Sequence, residues 1–109
     1  MSEFVLATII QGEAGVLGQT GMLAVAGVLM TQLYFGWSPD RIGESWYGRA
    51  WPGEYAWELA EGIVQGEVNP TGYLFCLSQD DVDKLGCRKG KPITRGRWVL
   101  YLYEHWPES

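Results

Sequence analysis

Histidine and cysteine are scarce in this chain. One histidine, His105, and two cysteines, Cys76 and Cys87, are too few for a metal-binding set. No Ser-His-Asp or Cys-His arrangement is visible, and no glycine-rich phosphate loop. Cys76 lies in the apolar run from Tyr73 to Leu77 and reads as a small buried hydrophobe, whereas Cys87 sits in a Gly-Cys-Arg turn. A disulfide between them requires that the fold bring them together. Cations are also few. Eight Lys and Arg face thirteen Asp and Glu, for a net charge of −5, which does not suit a general nucleic-acid binder. Long apolar runs are missing too. The stretch from Met22 to Phe35 is short of a bilayer span and contains Thr31 and Gln32, so no stable membrane insertion is expected. No cationic segment opens the chain, and the apolar run from Phe4 to Ile10 is broken by Thr8. No signal peptide is therefore read, and a mature form, an excised domain or a phage-delivered product is expected.

What is present fits an ordinary folded domain. A chain of 109 residues, 47% hydrophobic, supports one core, so a single domain spanning 1–109 is expected. Six tryptophans are many for such a small core. They either pack inside it or form a wall that stacks on sugar rings. Six of the eight cations fall in one stretch: Lys84, Arg88, Lys89, Lys91, Arg95 and Arg97. That stretch reads either as a solvated loop or as a basic patch for an anionic polymer.

The pattern predicts mostly helix. A short apolar helix from Phe4 to Gln11 is expected to end at Gly12, followed by a loop punctuated by Gly15, Gly18 and Gly21. Thr20 is placed to cap the next helix, from Gly21 to Tyr34, whose apolar residues run almost all round and mark it as the buried centre. Ser38-Pro39-Asp40 starts a short helix ending by Trp46. Ala56, Leu59, Ala60, Ile63 and Val64 keep helical spacing, so a helix is predicted from Glu54 to Gln65, with Glu54, Glu58 and Glu61 outward. Asn69-Pro70-Thr71-Gly72 is a turn, and Tyr73 to Leu77 a strand. Ser78 caps a short helix that ends at Gly86. Arg97 to Tyr103 is a second strand, pairing with the first as a hairpin around the cationic loop. The expected class is α+β, a mostly helical domain with a small β-hairpin.

One carboxylate stands apart from the rest. Glu13 is surrounded in sequence by Ile9, Ile10, Ala14, Val16 and Leu17, with glycines on both sides and no cation nearby. An apolar setting favours the neutral form of a carboxyl group, as a general acid at neutral pH requires. Cleaving a glycosidic bond needs such an acid to protonate the leaving oxygen. The bland alternative is a helix-end carboxylate bonded to backbone amides. Asp40, Glu44 and Glu54 are weaker candidates, and the spacing of Asp80, Asp81 and Asp83 fits no calcium loop.

Two ordered blocks carry a resemblance. Leu6 to Gly15, reading Leu-Ala-Thr-Ile-Ile-Gln-Gly-Glu-Ala-Gly, is followed by Gly21 and then by Ala24-Val25-Ala26-Gly27-Val28-Leu29. Later, Ala56, Ala60, Ile63 and Gly66 precede Asn69-Pro70-Thr71-Gly72 and the apolar Tyr73-Leu74-Phe75. Together these resemble the cell-wall hydrolase domain of bacterial spore-cortex-lytic enzymes. The resemblance covers about two-thirds of the chain. It implies a lysozyme-like fold, related to soluble lytic transglycosylases and resuscitation-promoting factors. It also implies cleavage of the β-1,4 bond between N-acetylmuramic acid and N-acetylglucosamine, with the family's essential glutamate falling on Glu13. Where that family carries Asn-Arg at the end of the buried helix, this chain has Thr31-Gln32. Met22 replaces a polar residue, and Ser78 matches the family's Asn only loosely. These changes are structural, or they alter substrate contacts or activity.

One acid without an evident second carboxylate points to a lytic transglycosylase, with Glu13 catalytic and no cofactor or metal. Trp46, Tyr47 and Trp51 are expected to line a glycan groove, and Asn69, Thr71 and Tyr73 to contact N-acetyl groups. The implied partner is the peptidoglycan glycan strand at the bacterial cell wall, met by a monomer. The alternatives are a non-catalytic peptidoglycan-binding module and a phage structural module on the same fold.

Overall fold

The computed structural model describes residues 1–108. The fold is α+β, with five α-helices and one three-stranded antiparallel sheet among the described residues. Helix α1 (Glu3–Ala14) begins at Ser2, whose hydroxyl accepts from the Val5 amide, and buries Leu6, Ala7, Ile9, Ile10 and Ala14. It does not stop at Gln11 but runs through Gly12. The expected glycine loop is a single 3₁₀ turn, Gly15–Leu17, and α2 (Gly18–Tyr34) starts three residues before Gly21. Thr20 is an exposed residue inside α2, not its cap. Each helical glycine costs about 1 kcal/mol relative to alanine. Tertiary burial offsets that cost, because α1 and α2 pack on each other and both pack on α4 (Glu54–Val64).

Helix α2 is the hub of the core. Val25, Ala26, Val28 and Leu29 are fully buried, which requires neighbours on several sides. By length and composition alone, Glu3–Tyr34 taken as one run is apolar enough to cross a membrane. It is broken at the 3₁₀ turn, and 56% of its most apolar window is buried inside the fold.

Local signals were accurate in the middle of the chain. Helix α3 (Pro39–Ser45) is capped by Ser38, whose hydroxyl accepts from the Arg41 amide, with Pro39 in the first turn. Helix α4 keeps Glu54, Glu58 and Glu61 exposed and buries Ala56, Leu59, Ala60 and Ile63. The segment from Asn69 to Gly72 docks on α2. The Thr71 amide donates to the Gly27 carbonyl at 3.1 Å, and the Gly72 amide donates to the Thr31 hydroxyl at 3.0 Å.

Strand β1 (Phe75–Ser78) leads into α5 (Gln79–Leu85), capped by Ser78 and ended by a left-handed Gly86. Strands β2 (Lys91–Arg95) and β3 (Trp98–Tyr103) follow. The sheet order is β1-β3-β2, with Phe75 opposite Tyr103 and Arg95 opposite Trp98. The expected pairing of the two apolar strands is present as β1 with β3. The expected loop between them is not, because part of the cationic stretch forms β2 and turns it into a three-stranded sheet. Pro92 and the exposed cations are compatible with β2 because it is an edge strand, where a missing amide and solvated charges are tolerated. Leu77, Val82, Tyr101 and Tyr103 form a small second cluster between α5 and the sheet.

Candidate functional site

A cleft of about 680 Å³ lies between the helical layer and the sheet. Glu13, Gln32 and the segment from Ser45 to Gly48 form one wall, and Leu74 to Ser78 with residues of α5 the other. Trp106, from the segment after β3, also lines the cleft. The lining mixes the apolar surfaces of Trp46, Phe75 and Trp106 with the carboxylates of Glu13, Glu44 and Asp81 and the cations of Arg41 and Lys84. Apolar walls with a few placed polar groups are the usual make-up of a small-molecule or polymer site.

Glu13 is presented to this cleft by the last turn of α1. Its neighbours Ile10 and Ala14 are fully buried, so the backbone that carries it is fixed by the core. Oε1 accepts a hydrogen bond of 2.7 Å from the Gly48 amide. Among the described residues Oε2 makes no hydrogen bond and is left to the cleft. The bland reading of Glu13 as a carboxylate bonded to a backbone amide is therefore correct for one oxygen and says nothing of the other.

The approach of Gly48 explains two glycines. A Cβ on Gly12 would run into the backbone of Gly48 and Arg49, and a Cβ on Gly48 would lie 2.7 Å from Glu13 Oε1. Gly12 is thus a close-packing position and not a helix end. The same face of α1 holds the rest of the loop. The Ala50 amide donates to the Thr8 carbonyl at 3.2 Å, and the Gly53 amide donates to Gln11 Oε1 at 3.0 Å. Arg49 fastens the loop to α3 by donating to the carbonyls of Gly43, Trp46 and Gly48.

Gln32 acts as a bridge through both ends of its amide. Its Nε2 donates to the Leu74 carbonyl at 2.8 Å, and its Oε1 accepts from the Trp46 indole at 2.9 Å. It ties the two cleft walls through the end of α2. Thr31 donates to the Gly27 carbonyl and accepts from the Gly72 amide. The Thr31-Gln32 pair is therefore a structural joint, buried almost completely.

Of the seven site residues expected from the sequence, Glu13, Trp46 and Tyr47 line the cleft. Trp46 is buried, with its N–H held by Gln32, while Tyr47 is 89% exposed. The other four lie elsewhere. Trp51 is exposed beside Phe4, with ring centroids 5.8 Å apart, outside the cleft lining. Asn69 and Thr71 belong to the turn on α2, and Thr71 also accepts from the Tyr73 amide. Tyr73 lies under the Lys91 ammonium at 5.6 Å. Of the three reserve carboxylates only Glu44 reaches the cleft. Asp40 and Glu54 sit in the exposed first turns of their helices.

The sequence pattern does not single out Gly48, Gln32, Arg41 or Trp106 as site residues. Arg41 stacks over the Trp37 ring at 3.7 Å, Trp37 packs on Phe75 at 5.6 Å, and Phe75 packs on Trp106 at 5.4 Å. Only the surplus of tryptophan hinted at such a row. Both cysteines are free thiols. Cys76 lines the cleft, where burial and then the nearby Glu13 carboxylate push its thiol well above the ordinary range. Among the described residues no three His, Cys, Asp or Glu side chains are grouped to hold a metal ion. No family model, curated protein or solved structure matches this chain.

Proposed function

We propose that this chain cleaves peptidoglycan glycan strands at the β-1,4 bond between N-acetylmuramic acid and N-acetylglucosamine, as a lytic transglycosylase. The observation that carries the reading is Glu13 itself: a carboxylate lining the cleft, with one oxygen anchored by the Gly48 amide and the other without a hydrogen bond among the described residues. The anchor fixes the side chain and leaves Oε2 to handle a proton. Protonated Glu13 gives its proton to the glycosidic oxygen as the bond to C1 breaks. The resulting carboxylate then takes the proton of the muramic acid 6-hydroxyl as that oxygen bonds to C1. The products are a 1,6-anhydro end and a free 4-hydroxyl, and Glu13 is again protonated. The two blocks that resemble spore-cortex-lytic enzymes support the same assignment.

Glu44 supports a second reading. It lines the same cleft, and a second carboxylate is what a hydrolase uses to activate water. End-group analysis separates the two. Purified peptidoglycan is incubated with the protein and the released muropeptides are identified by mass spectrometry. Anhydro-muramyl ends are expected. Reducing ends would transfer the assignment to hydrolysis with Glu44 as base. Equal product release by wild type and Glu13→Gln would falsify the role given to Glu13. Sedimentation with cell walls but no products from either protein would favour a binding module.

A further inference from the structure

Trp106 is an unusual residue for its place in the chain. It lies beyond the last strand, where side chains are commonly solvated and loosely held. Here it is half exposed at 52%, yet it stands edge-on to Phe75 at an interplanar angle of 80°. Phe75 is in turn packed on Trp37, and Trp37 is covered by Arg41. The row of stacked groups braces Trp106 from behind and leaves its outer part bare. Bracing of this kind lowers the ordering cost when a ligand lands on the ring.

The surroundings of Trp106 show the direction of that ligand. Trp106 and Leu85 line the Glu13 cleft, and the same two residues line a second hollow of about 330 Å³ completed by Pro107 and Glu108. The indole therefore stands at the junction of two adjoining hollows. A ligand confined to the Glu13 cleft has no use for the second one. A linear polymer passing over Trp106 uses both. Pyranose rings suit the junction because they present an apolar face to an indole and hydroxyls to water at the rim.

We infer that the cleft and the outer hollow form one extended glycan groove, with Trp106 as the stacking platform between them. The inference rests on the glycan-cleaving reading and adds to it that the chain grips several sugars beyond the reacting pair. Affinity then grows with oligomer length, and the growth depends on Trp106.

The test is calorimetric titration of the Glu13→Gln protein with N-acetylglucosamine oligomers of two, four and six sugars. Affinity is expected to rise about tenfold from the shortest to the longest, the effect of one good aromatic anchor. In the Glu13→Gln background, Trp106→Ala should flatten the rise and Trp106→Phe should keep most of it. Circular dichroism of each variant checks that the fold is retained. An unchanged length dependence in the Trp106→Ala protein overturns the inference, as does the absence of binding by every oligomer. Product release from peptidoglycan by the wild-type chain is a separate readout. Trp106-dependent binding without cleavage keeps the groove and removes the enzyme. Cleavage with no Trp106 dependence of binding does the reverse.

Discussion

Because Oε1 of Glu13 is committed to the Gly48 amide, substitutions at this one position separate two roles. Glu13→Gln keeps a carbonyl oxygen for the amide but has no proton to transfer. It should lower muropeptide release by about 10²-fold or more while leaving thermal unfolding nearly unchanged. Glu13→Ala loses the acceptor as well and should cost about 1 kcal/mol of stability in addition. If Gln and Ala unfold at the same temperature, the anchor to Gly48 contributes nothing. Cys76 reports on the same carboxylate from the opposite wall. Its thiol is held above the ordinary range, first by burial and then by Glu13. A raised folded value means that the neutral thiol's contribution to stability is complete below the unfolded thiol's titration, near pH ~8.5. It is lost as pH rises through the higher folded value. In a Cys87→Ser background, alkylation of Cys76 at mildly alkaline pH should be slower in the folded protein than in urea. Adding Glu13→Gln should speed it. No change on adding that substitution would place the carboxylate too far from the thiol to matter.

At the scale of elements, the contact between α1 and the loop after α3 is the one to challenge. Gly12→Ala forces a methyl group into the backbone of Gly48 and Arg49, which has no flexible end to move aside. A loss of about 1–3 kcal/mol is expected, read as a lower midpoint in urea with an unchanged slope. A neutral outcome would mean that the loop does not sit against α1 in solution. The Gln32 bridge makes a similar demand. Gln32→Leu strands the Leu74 carbonyl and the Trp46 indole N–H, at about 1–3 kcal/mol for polar groups left unpaired.

These two contacts also show where reading from sequence succeeded and where it ran out. Ser38, Ser78 and Gly86 act on backbone groups within a few residues, so their capping roles were legible. The spacing along α4 was legible because one face meets the core and the other meets water. Gly12 looks like a helix end in sequence because a glycine that breaks a helix and one that admits a neighbouring backbone are alike there. The turn between α1 and α2 is shorter than the three glycines suggest: Gly15 and Gly21 lie against the side chains of Gln11 and Leu17, and Gly18, at φ +70°, takes the turn conformation. Strand β2 was hidden by its charge and its proline, which an edge position permits and a central one forbids. Glu13 stood out because its neighbours along the chain are the apolar residues that bury α1. Gln32 and Trp106 give no such signal, because their partners are distant in sequence: Trp46 and Leu74 lie 14 and 42 residues from Gln32, and Phe75 belongs to a different element from Trp106.

For the molecule as a whole, the cleft is a seam. One wall belongs to α1, α2 and the loop after α3, and the other to β1, α5 and the tail after β3. Within the cleft lining, Gln32 bridges the seam by hydrogen bonding, from α2 to Leu74 on one side and Trp46 on the other. A ligand lying along the seam touches both walls and adds a second bridge. It binds the folded chain and not the unfolded one, so it raises stability by mass action. At a concentration about 100 times its dissociation constant the gain is about 2.7 kcal/mol, or roughly 10 °C in the unfolding midpoint for a chain of this size. The hexamer of N-acetylglucosamine added to the Glu13→Gln protein should produce a shift of that order in a thermal scan. In a Gln32→Leu background the absolute midpoint is lower, but the ligand-induced shift should be at least as large, since the ligand then supplies the missing connection between the walls. A shift that disappears with Gln32 would mean that the walls must be held together before the groove exists.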